Sequence, residues 1–433
     1  MPENSPKAAL ITLGCPMNQV DSEKIMGGLV ARGFDIVPEE EAEVIIVNTC
    51  GFIESAKEES IETALSAAEI KEHGNLKAVV LAGCLAERYG DELASALDEV
   101  DAVVGLDGRD SIPDLCLDLV GRQKQEDTAY TRVVTGPLHS AYLKIAEGCD
   151  NRCSYCTIPA IRGSFRSIAV DEIIRDAGEL VSIGARELVL IGQDTTGYGR
   201  DLDDASLPAL LTQLAGIDNL TWLRLLYTHP RLFTDELIGT INNLPQVIPY
   251  IDMPIQHIAH GVLDRMRRHT PPDHIRQVID NLRRRIEGLV LRTSLIVGFP
   301  GETDSDFEEL ADFVQDARFE RLGVFAYSPE DDTPAASMDD QVPGSIANAR
   351  CETIMEIQAG ITENFHRSLI GSEHDMIIDD IDTETGLVIG RTYMDAPDID
   401  GSIMAVGSVK QGDCFCRVRI TGADTYDLHG EVV

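Results

Sequence analysis

Basic side chains are scarce in this sequence. Its 433 residues include 36 Lys and Arg against 74 Asp and Glu, a net charge of −38. A surface of that sign repels phosphates, so direct binding of bare nucleic acid is disfavoured. A basic partner suits it better, because opposite potentials speed encounter. Solubility or adaptation to salt explains the charge equally well, since net charge says nothing about fold. Long apolar runs are also missing: none approaches the roughly 20 residues that cross a bilayer. The stretch Met1 to Lys7 is polar and has no signal-peptide core. A cytoplasmic protein with no membrane contact is therefore expected. There is no P-loop, no H-E-x-x-H and no G-x-S-x-G, so the motifs of phosphate cradling, zinc proteolysis and serine hydrolysis are absent. No long internal repeat or low-complexity segment is visible.

Ten cysteines are present. In a reducing compartment they are poor candidates for disulfides, and metal binding or catalysis is the better default. The length suggests two or three domains. Over residues 5–120, short apolar runs (Ala8–Leu13, Val44–Asn48, Ala78–Ala82, Ala102–Gly105) alternate with helical patterns, one carrying Ile61, Leu65 and Ala68 on a single face. Asp21 and Glu54 stand at plausible helix starts. This alternation predicts an α/β domain with a parallel sheet. Residues 121–135 read as a polar linker. From 136 to 366 the alternation resumes, with strands expected at Ala141–Ala146, Glu187–Ile191, Leu223–Tyr227, Ile248–Ile251, Arg292–Val297 and Leu322–Tyr327. Thr303 and Asp306 form a capping box ahead of a helix whose buried face is Phe307, Leu310, Val314 and Ala317. Six such units fit an incomplete (β/α)6 barrel with its site at the C-terminal strand ends. Residues 367–433 read as a small all-β module with turns at Asp400-Gly401 and Gln411-Gly412-Asp413.

Cys149, Cys153 and Cys156 form a C-x₃-C-x₂-C run just after an expected strand. Three thiolates this close can hold three irons of a cubane and leave the fourth open, and thiolates are the usual iron–sulfur ligands. Structural zinc is the alternative, but it wants a fourth Cys or His nearby; His139 lies on the far side of a strand. An electron carrier would ligate every iron by protein, and this run has no fourth Cys. A second set is dispersed. Cys15, Cys50 and Cys84 each follow a strand of one parallel sheet, and those strand ends share the edge where open α/β sheets bind ligands. Gly14 and Gly83 precede two of them and permit close backbone approach. Three ordinary core cysteines are the competing explanation. Cys116, Cys351, Cys414 and Cys416 read as structural.

Weaker signals surround these. Gly298-Phe299-Pro300-Gly301-Glu302-Thr303 is a Gly-rich turn opening a helix, able to approach a ligand closely or simply to turn. Gln193 and Asp194 follow a strand and would line the barrel mouth, Asp194 alternatively as a cap. His257 is either a mouth residue or a structural histidine. Arg162 and Arg166 either meet a carboxylate or face solvent, and Arg265, Arg267 and Arg268 read as a solvated helix face.

At Cys149–Cys156 the sequence resembles the radical S-adenosylmethionine (SAM) superfamily. Leu13-Gly14-Cys15-Pro16, Asn48-Thr49-Cys50-Gly51-Phe52-Ile53 and Ala82-Gly83-Cys84-Leu85 resemble the N-terminal domain of its methylthiotransferases, and Ala423–Leu428 their TRAM module, which is OB-like. Ala56–Ser60, Glu147–Arg166, Gln193–Thr196, Tyr250–His257 and Ala396–Gly401 are most similar to the branch that modifies an aspartate of small-subunit ribosomal protein twelve. Met17, where that branch would carry Lys, is more like the branch that methylthiolates adenosine in transfer RNA.

The resemblance implies two 4Fe–4S clusters, a SAM-cleaving one on Cys149, Cys153 and Cys156 and an auxiliary one on Cys15, Cys50 and Cys84. Gln193, Gly298 and Glu302 are expected near SAM. It also implies an electron donor of flavodoxin or ferredoxin type. A 5′-deoxyadenosyl radical would take hydrogen from the aspartate β-carbon, and a methylthio group with its methyl from a second SAM would follow. Residues 367–433 hold 5 Lys and Arg and 13 Asp and Glu, a net charge of −8. A module built to grip RNA should be basic, so a basic ribosomal protein is the expected substrate.

Overall fold

The computed structural model describes residues 5–72, 74–123, 132–382, 384–410 and 412–433. The chain forms two compact units: Met1–Gly136 with Gly148–Asp150 and Thr157–Phe165, and Pro137–Glu147 with Asn151–Cys156 and Arg166–Val433.

The first unit contains β1 (Lys7–Thr12), α1 (Pro16–Ala31), β2 (Asp35–Ile36), β3 (Val44–Thr49), α2 (Glu54–Glu69), β4 (Ala78–Gly83), α3 (Cys84–Ala96), β5 (Ala102–Val104), α4 (Ile112–Leu119) and, after the cysteine run, the one-turn α5 (Ile158–Ile161). The sheet order is β2-β1-β3-β4-β5 and each pairing is parallel. Burial on both faces explains why β3 and β4 are almost unbroken apolar runs. On one face Ala8, Val44, Ile46 and Val80 pack against Ile25, Leu29, Ile112 and Cys116; on the other Ala9, Ile45, Val47 and Leu81 pack against Ala64, Ala67 and Ala68. Each fully buried Val or Ile contributes about 1.5–3 kcal/mol. Cys116 is thus a core residue, and burial pushes its thiol up to about 12.

Two expectations within the first unit need correction. Asp21 does not start a helix: Pro16, preset for the first helical turn, starts α1, and Asp21 lies inside it. The buried face of α2 is Ser60, Ala64, Ala67 and Ala68, with Ile61 and Leu65 only partly covered, because small side chains let the helix lie close to the sheet. Part of the expected linker, residues 124–131, lies outside the described residues. Its far end is anchored, since Glu23 accepts from Arg132 Nε (2.7 Å) and from the Thr135 N–H (2.9 Å).

The second unit begins with β6 (Ser140–Lys144), followed by β7 (Ala146–Glu147), β8 (Arg166–Ser167), α6 (Val170–Ser182), β9 (Glu187–Ile191), α7 (Leu207–Ala215), β10 (Trp222–Leu225), α8 (Asp235–Asn243), β11 (Val247–Asp252), α9 (His260–Arg265), α10 (Pro272–Arg285), β12 (Val290–Val297), α11 (Asp304–Ala317) and β13 (Arg321–Ala326). The sheet order β13-β12-β11-β10-β9-β6 is parallel throughout and open between β13 and β6. This is the incomplete (β/α)6 arrangement expected from the sequence. The Thr303–Asp306 capping box opens α11.

After α12 (Gly344–Ser368), the strands β14 (Glu373–Asp382), β15 (Leu387–Arg391), β16 (Ile403–Val406), β17 (Phe415–Ala423) and β18 (Leu428–Val432) close into a small barrel in the order β14-β15-β16-β18-β17. The segment between β15 and β16 inserts acids at the N-terminal ends of the large sheet. Asp395 pairs with Arg321, Asp400 accepts from Tyr250 Oη (2.6 Å), and Asp398 accepts from Tyr142 Oη (3.3 Å). Asp395 and Asp400 are internal, so the module's count of −8 overstates the charge it offers to a partner. Of the turns expected there, Gln411 lies outside the described residues.

Candidate active site

The strand ends of the first unit gather Cys15, Cys50 and Cys84. Gly14 and Gly83 have φ of 91° and 93°, the left-handed region that favours glycine. A Cβ on Gly14 would stand 2.8 Å from Cys50 Cβ and 3.0 Å from its Sγ; one on Gly83 would stand 2.2 Å from Asn48 Oδ1. The turns therefore press together only because these side chains are missing. The Cys15 backbone carbonyl accepts from the Asn18 and Gln19 N–H groups at the start of α1, and Cys84 is the first residue of α3. Ser60 Oγ accepts from the Cys50 N–H and donates to the Cys50 carbonyl, both at 3.0 Å.

Asn18 joins the three turns. Its Nδ2 donates to Leu13 O (2.8 Å) and Thr49 O (2.9 Å), and its Oδ1 accepts from the Cys84 thiol (3.5 Å) and from Arg162 Nη2 (2.6 Å). Neither Asn18 nor Ser60 was singled out by sequence. The signal for Asn18 was available: a polar residue three beyond a strand-end cysteine, in the first turn of a helix whose other side chains are mostly buried. Arg162 is buried against Asp21 and Cys84, so it meets a carboxylate and does not face solvent. Burial pushes Cys84 up to about 11 against the pull of Arg162, and burial likewise raises Cys50. Such thiols stay protonated at neutral pH until a metal takes the proton's place.

The cysteine run belongs partly to each unit. In the first, the Cys149 N–H donates to Gly163 O (3.1 Å), and Gly148, with φ of 74°, lets the chain lie against Ser164. In the second, Ser154 donates its N–H to Met266 O (3.0 Å) and its hydroxyl to Arg265 O (2.7 Å), which fixes the turn between Cys153 and Cys156. Arg268 was expected on a solvated helix face. It is instead buried past the end of α9, donating to Cys153 Sγ (3.6 Å) and Pro254 O (2.6 Å). Arg265 and Arg267 are exposed.

The remaining candidates lie at the C-terminal strand ends of the second unit. Asp194 accepts from Thr196 Oγ1 (2.7 Å), the Gly197 N–H (3.2 Å) and Asn151 Nδ2 (2.9 Å), so it caps the turn and steadies the cysteine loop. Gln193 Oε1 is buried without a hydrogen-bond partner among the described residues. A buried acceptor left open is costly unless a ligand fills it. His257 is buried, with Nδ1 accepting from the Ala259 N–H (3.0 Å), and burial lowers its pKa to about 4. His229, which caps the short turn Pro230–Leu232 after β10, is buried and neutral, lowered to about 2 by burial. Gly298 has φ of 73° and packs against Ala347. Glu302 accepts from the Phe299 N–H (3.0 Å) and from Arg350 (2.9 Å), bonds that brace the Gly-rich turn.

Each donor set is three cysteines, the side chains that iron–sulfur clusters use as ligands. Among the described residues no three His, Cys, Asp or Glu side chains are grouped to chelate a single ion. A cubane asks for a wider spacing, because its irons sit at separate corners and take one thiolate each. The open Gln193 oxygen suits a polar cofactor at the strand ends. Ala replacement of Gly83 tests the first set: it combines left-handed strain of about 1–3 kcal/mol with a clash against Asn48. A lowered melting temperature and loss of iron from the reconstituted chain are expected, measured by calorimetry and iron analysis.

Residues 7–105 match the model of uncharacterized protein family UPF0004, residues 143–314 that of the radical SAM superfamily, and residues 370–433 that of the TRAM domain. Curated relatives extend over nearly the whole chain. The ribosomal protein uS12 methylthiotransferase RimO of Geobacter sulfurreducens is 45% identical over 441 residues, covering 99% of this chain and 98% of the relative. The protein of the same name from Clostridium perfringens is 44% identical, covering 98% of each. Among solved structures, the radical S-adenosylmethionine methyltransferase TsrM from Kitasatospora setae aligns with a TM-score of 0.57 at 15% identity, over 77% of each chain. The cobalamin-dependent radical enzyme OxsB aligns at 0.53 and 11%, over 82% of this chain and 56% of that one. These two likenesses are of fold alone.

Proposed function

The chain belongs to the RimO family of ribosomal protein uS12 methylthiotransferases, and we propose that it adds a methylthio group to the β-carbon of an aspartate in that ribosomal protein. In this reading Cys149, Cys153 and Cys156 hold the cluster that carries SAM, and Cys15, Cys50 and Cys84 hold an auxiliary one. The observation that supports it most is the clasping of three strand-end cysteines by Asn18 and Ser60. When bound, the clusters and SAM supply one-electron cleavage and a sulfur source, which side chains lack. That chemistry is needed because no side-chain base reaches the pKa of an unactivated C–H bond beside a carboxylate.

The protein's own residues orient and exclude water. Asn18 and Ser60 fix the auxiliary ligands. Asp194 holds Asn151, and with it the cysteine loop. Gln193, Gly298 and Glu302 form the SAM neighbourhood, with Gln193 Oε1 as the polar contact and Glu302 bracing the turn that Gly298 begins. An electron donor of flavodoxin or ferredoxin type supplies the electron. Among the described residues no helix is long and apolar enough to cross a membrane.

The test is anaerobic reconstitution with SAM, reductant and the ribosomal protein, followed by mass spectrometry. A methylthio adduct on aspartate is expected, with binding that weakens as salt rises. The second reading, methylthiolation of adenosine in transfer RNA, draws on Met17. Modified adenosine with no aspartate adduct would replace the first reading by the second.

A further inference from the structure

Arg162 is a buried cation that the proposed chemistry leaves without a task. Its guanidinium donates Nη2 to Cys84 Sγ at 3.3 Å and to Asn18 Oδ1 at 2.6 Å, and Nη1 to Asp21 Oδ2 at 3.2 Å. Its side chain is 1% exposed, and that of Asp21 is 4% exposed. In a chain of net charge −38, a fully buried guanidinium against one thiol of the triad is a specific arrangement. A carboxylate would suffice to neutralise an arginine; the contact with sulfur asks for a separate reason.

We propose that Arg162 sets the redox potential of the auxiliary cluster by donating a hydrogen bond to the Cys84 thiolate, an inference that rests on the reading of Cys15, Cys50 and Cys84 as cluster ligands. Reduction adds one electron to a cluster, and part of the added charge falls on the ligand sulfurs. Hydrogen bonds to those sulfurs stabilise the reduced form and raise the potential. A charged donor does so more strongly than a neutral one. Arginine suits the role because it keeps its proton at any working pH, and its planar fork serves sulfur, amide and carboxylate at once. Asp21 and Asn18 hold the fork so that the bond to sulfur is not lost to side-chain rotation.

The chain position adds a consequence. Arg162 follows Cys156 by six residues, in the segment Thr157–Phe165 that packs within the first unit. The loop bearing the SAM-cleaving ligands thus also delivers the donor that tunes the other ligand set. Arg268 beside Cys153 makes a longer contact, at 3.6 Å.

The test uses the full chain with Cys149, Cys153 and Cys156 all replaced by alanine, so that only the auxiliary cluster forms. Arg162→Gln and Arg162→Lys are made in this background, reconstituted anaerobically with iron and sulfide, and titrated with the reduced cluster followed by electron paramagnetic resonance. Unchanged iron per chain is expected, with a midpoint potential shifted negative in R162Q and by a smaller amount in R162K. An unchanged midpoint at full iron would overturn the proposal, as would loss of iron from both variants at an unchanged melting temperature, which would make Arg162 an anchor only. If R162Q alone loses iron, the R162K midpoint decides in the same way. No iron in the parent background would sink the cluster assignment itself and the tuning role with it.

Discussion

Replacing Cys15, Cys50 and Cys84 together by alanine is expected to halve the iron bound on reconstitution and to reduce methylthio transfer to background, while 5′-deoxyadenosine formation continues. The two ligand sets are carried by different stretches of chain, and the dispersed set makes no contribution to the apolar faces of its sheet. Ala8, Ile46 and Val80 on one face and Ile45, Val47 and Leu81 on the other remain packed without it. Loss of the thiols removes the packing of Cys84 against Leu106 and Ile161, the weak bond from the Cys84 thiol to Asn18 and the acceptor for Arg162, and leaves both apolar faces of the sheet in place. A fall in transfer therefore reports the loss of chemistry and not of structure, and circular dichroism on the same samples checks this. Replacing Cys149 instead should abolish both products, because radical formation precedes transfer. Parallel quantification of iron, 5′-deoxyadenosine and the adduct distinguishes the two outcomes. Adduct formation that survived the triple replacement would remove the auxiliary cluster from the mechanism.

The strands and the cysteines were legible because each depends on local chemistry. Buried parallel strands are short apolar runs, and Val44–Thr49 and Glu187–Ile191 could be read with little error. Once the strands were placed, the strand-end positions of Cys15, Cys50 and Cys84 followed from spacing. What stayed hidden was the set of long-range polar partners. Arg162 and Asp21 are separated by 141 residues, Arg268 and Cys153 by 115, and Tyr250 and Asp400 by 150. Period and propensity carry no information about such pairs. Charged residues are also read by default as solvated, and that default fails for Arg268, Asp395 and Asp400, which are buried against hydrogen-bond or ionic partners from distant segments. Asp21 failed for the same reason: it looked like a helix cap and is an interior anchor for two arginines, Arg109 (2.5 Å) and Arg162.

Glu187→Gln is expected to cost the apo-protein about 3 kcal/mol at neutral pH and to flatten its acid-unfolding curve. Glu187 is the first residue of β9 and its side chain is fully buried. It accepts from Arg224 Nε at 2.8 Å and Ser140 Oγ at 2.9 Å, it forms an ion pair with Arg391 Nη1 at 2.5 Å, and Arg224 stacks over the Tyr250 ring at 4.6 Å. Arg224 is as buried as Glu187, and Arg391 comes from the small barrel, so one carboxylate balances two cations that belong to different modules of the second unit. Removing it leaves Arg224 without a carboxylate and Arg391 with only Asp379 at 3.3 Å, close to the case in which breaking a buried pair costs about 3–5 kcal/mol. Burial works to raise the Glu187 pKa, but Arg391 and Arg224 outweigh it and hold the carboxyl near a value of about 2. The unfolded value is about 4.3. The folded pKa is the lower one, so the carboxylate's contribution is fully present above about pH 4.3 and disappears as pH falls toward 2. A shift of about two units corresponds to about 3 kcal/mol, in agreement with the cost from charge imbalance. Denaturant melts of wild type and variant at pH 7 and at pH 3 measure both: the gap between them should be widest at pH 7 and narrow at pH 3. An equal gap at the two pH values would mean that shape, and not charge, makes Glu187 necessary.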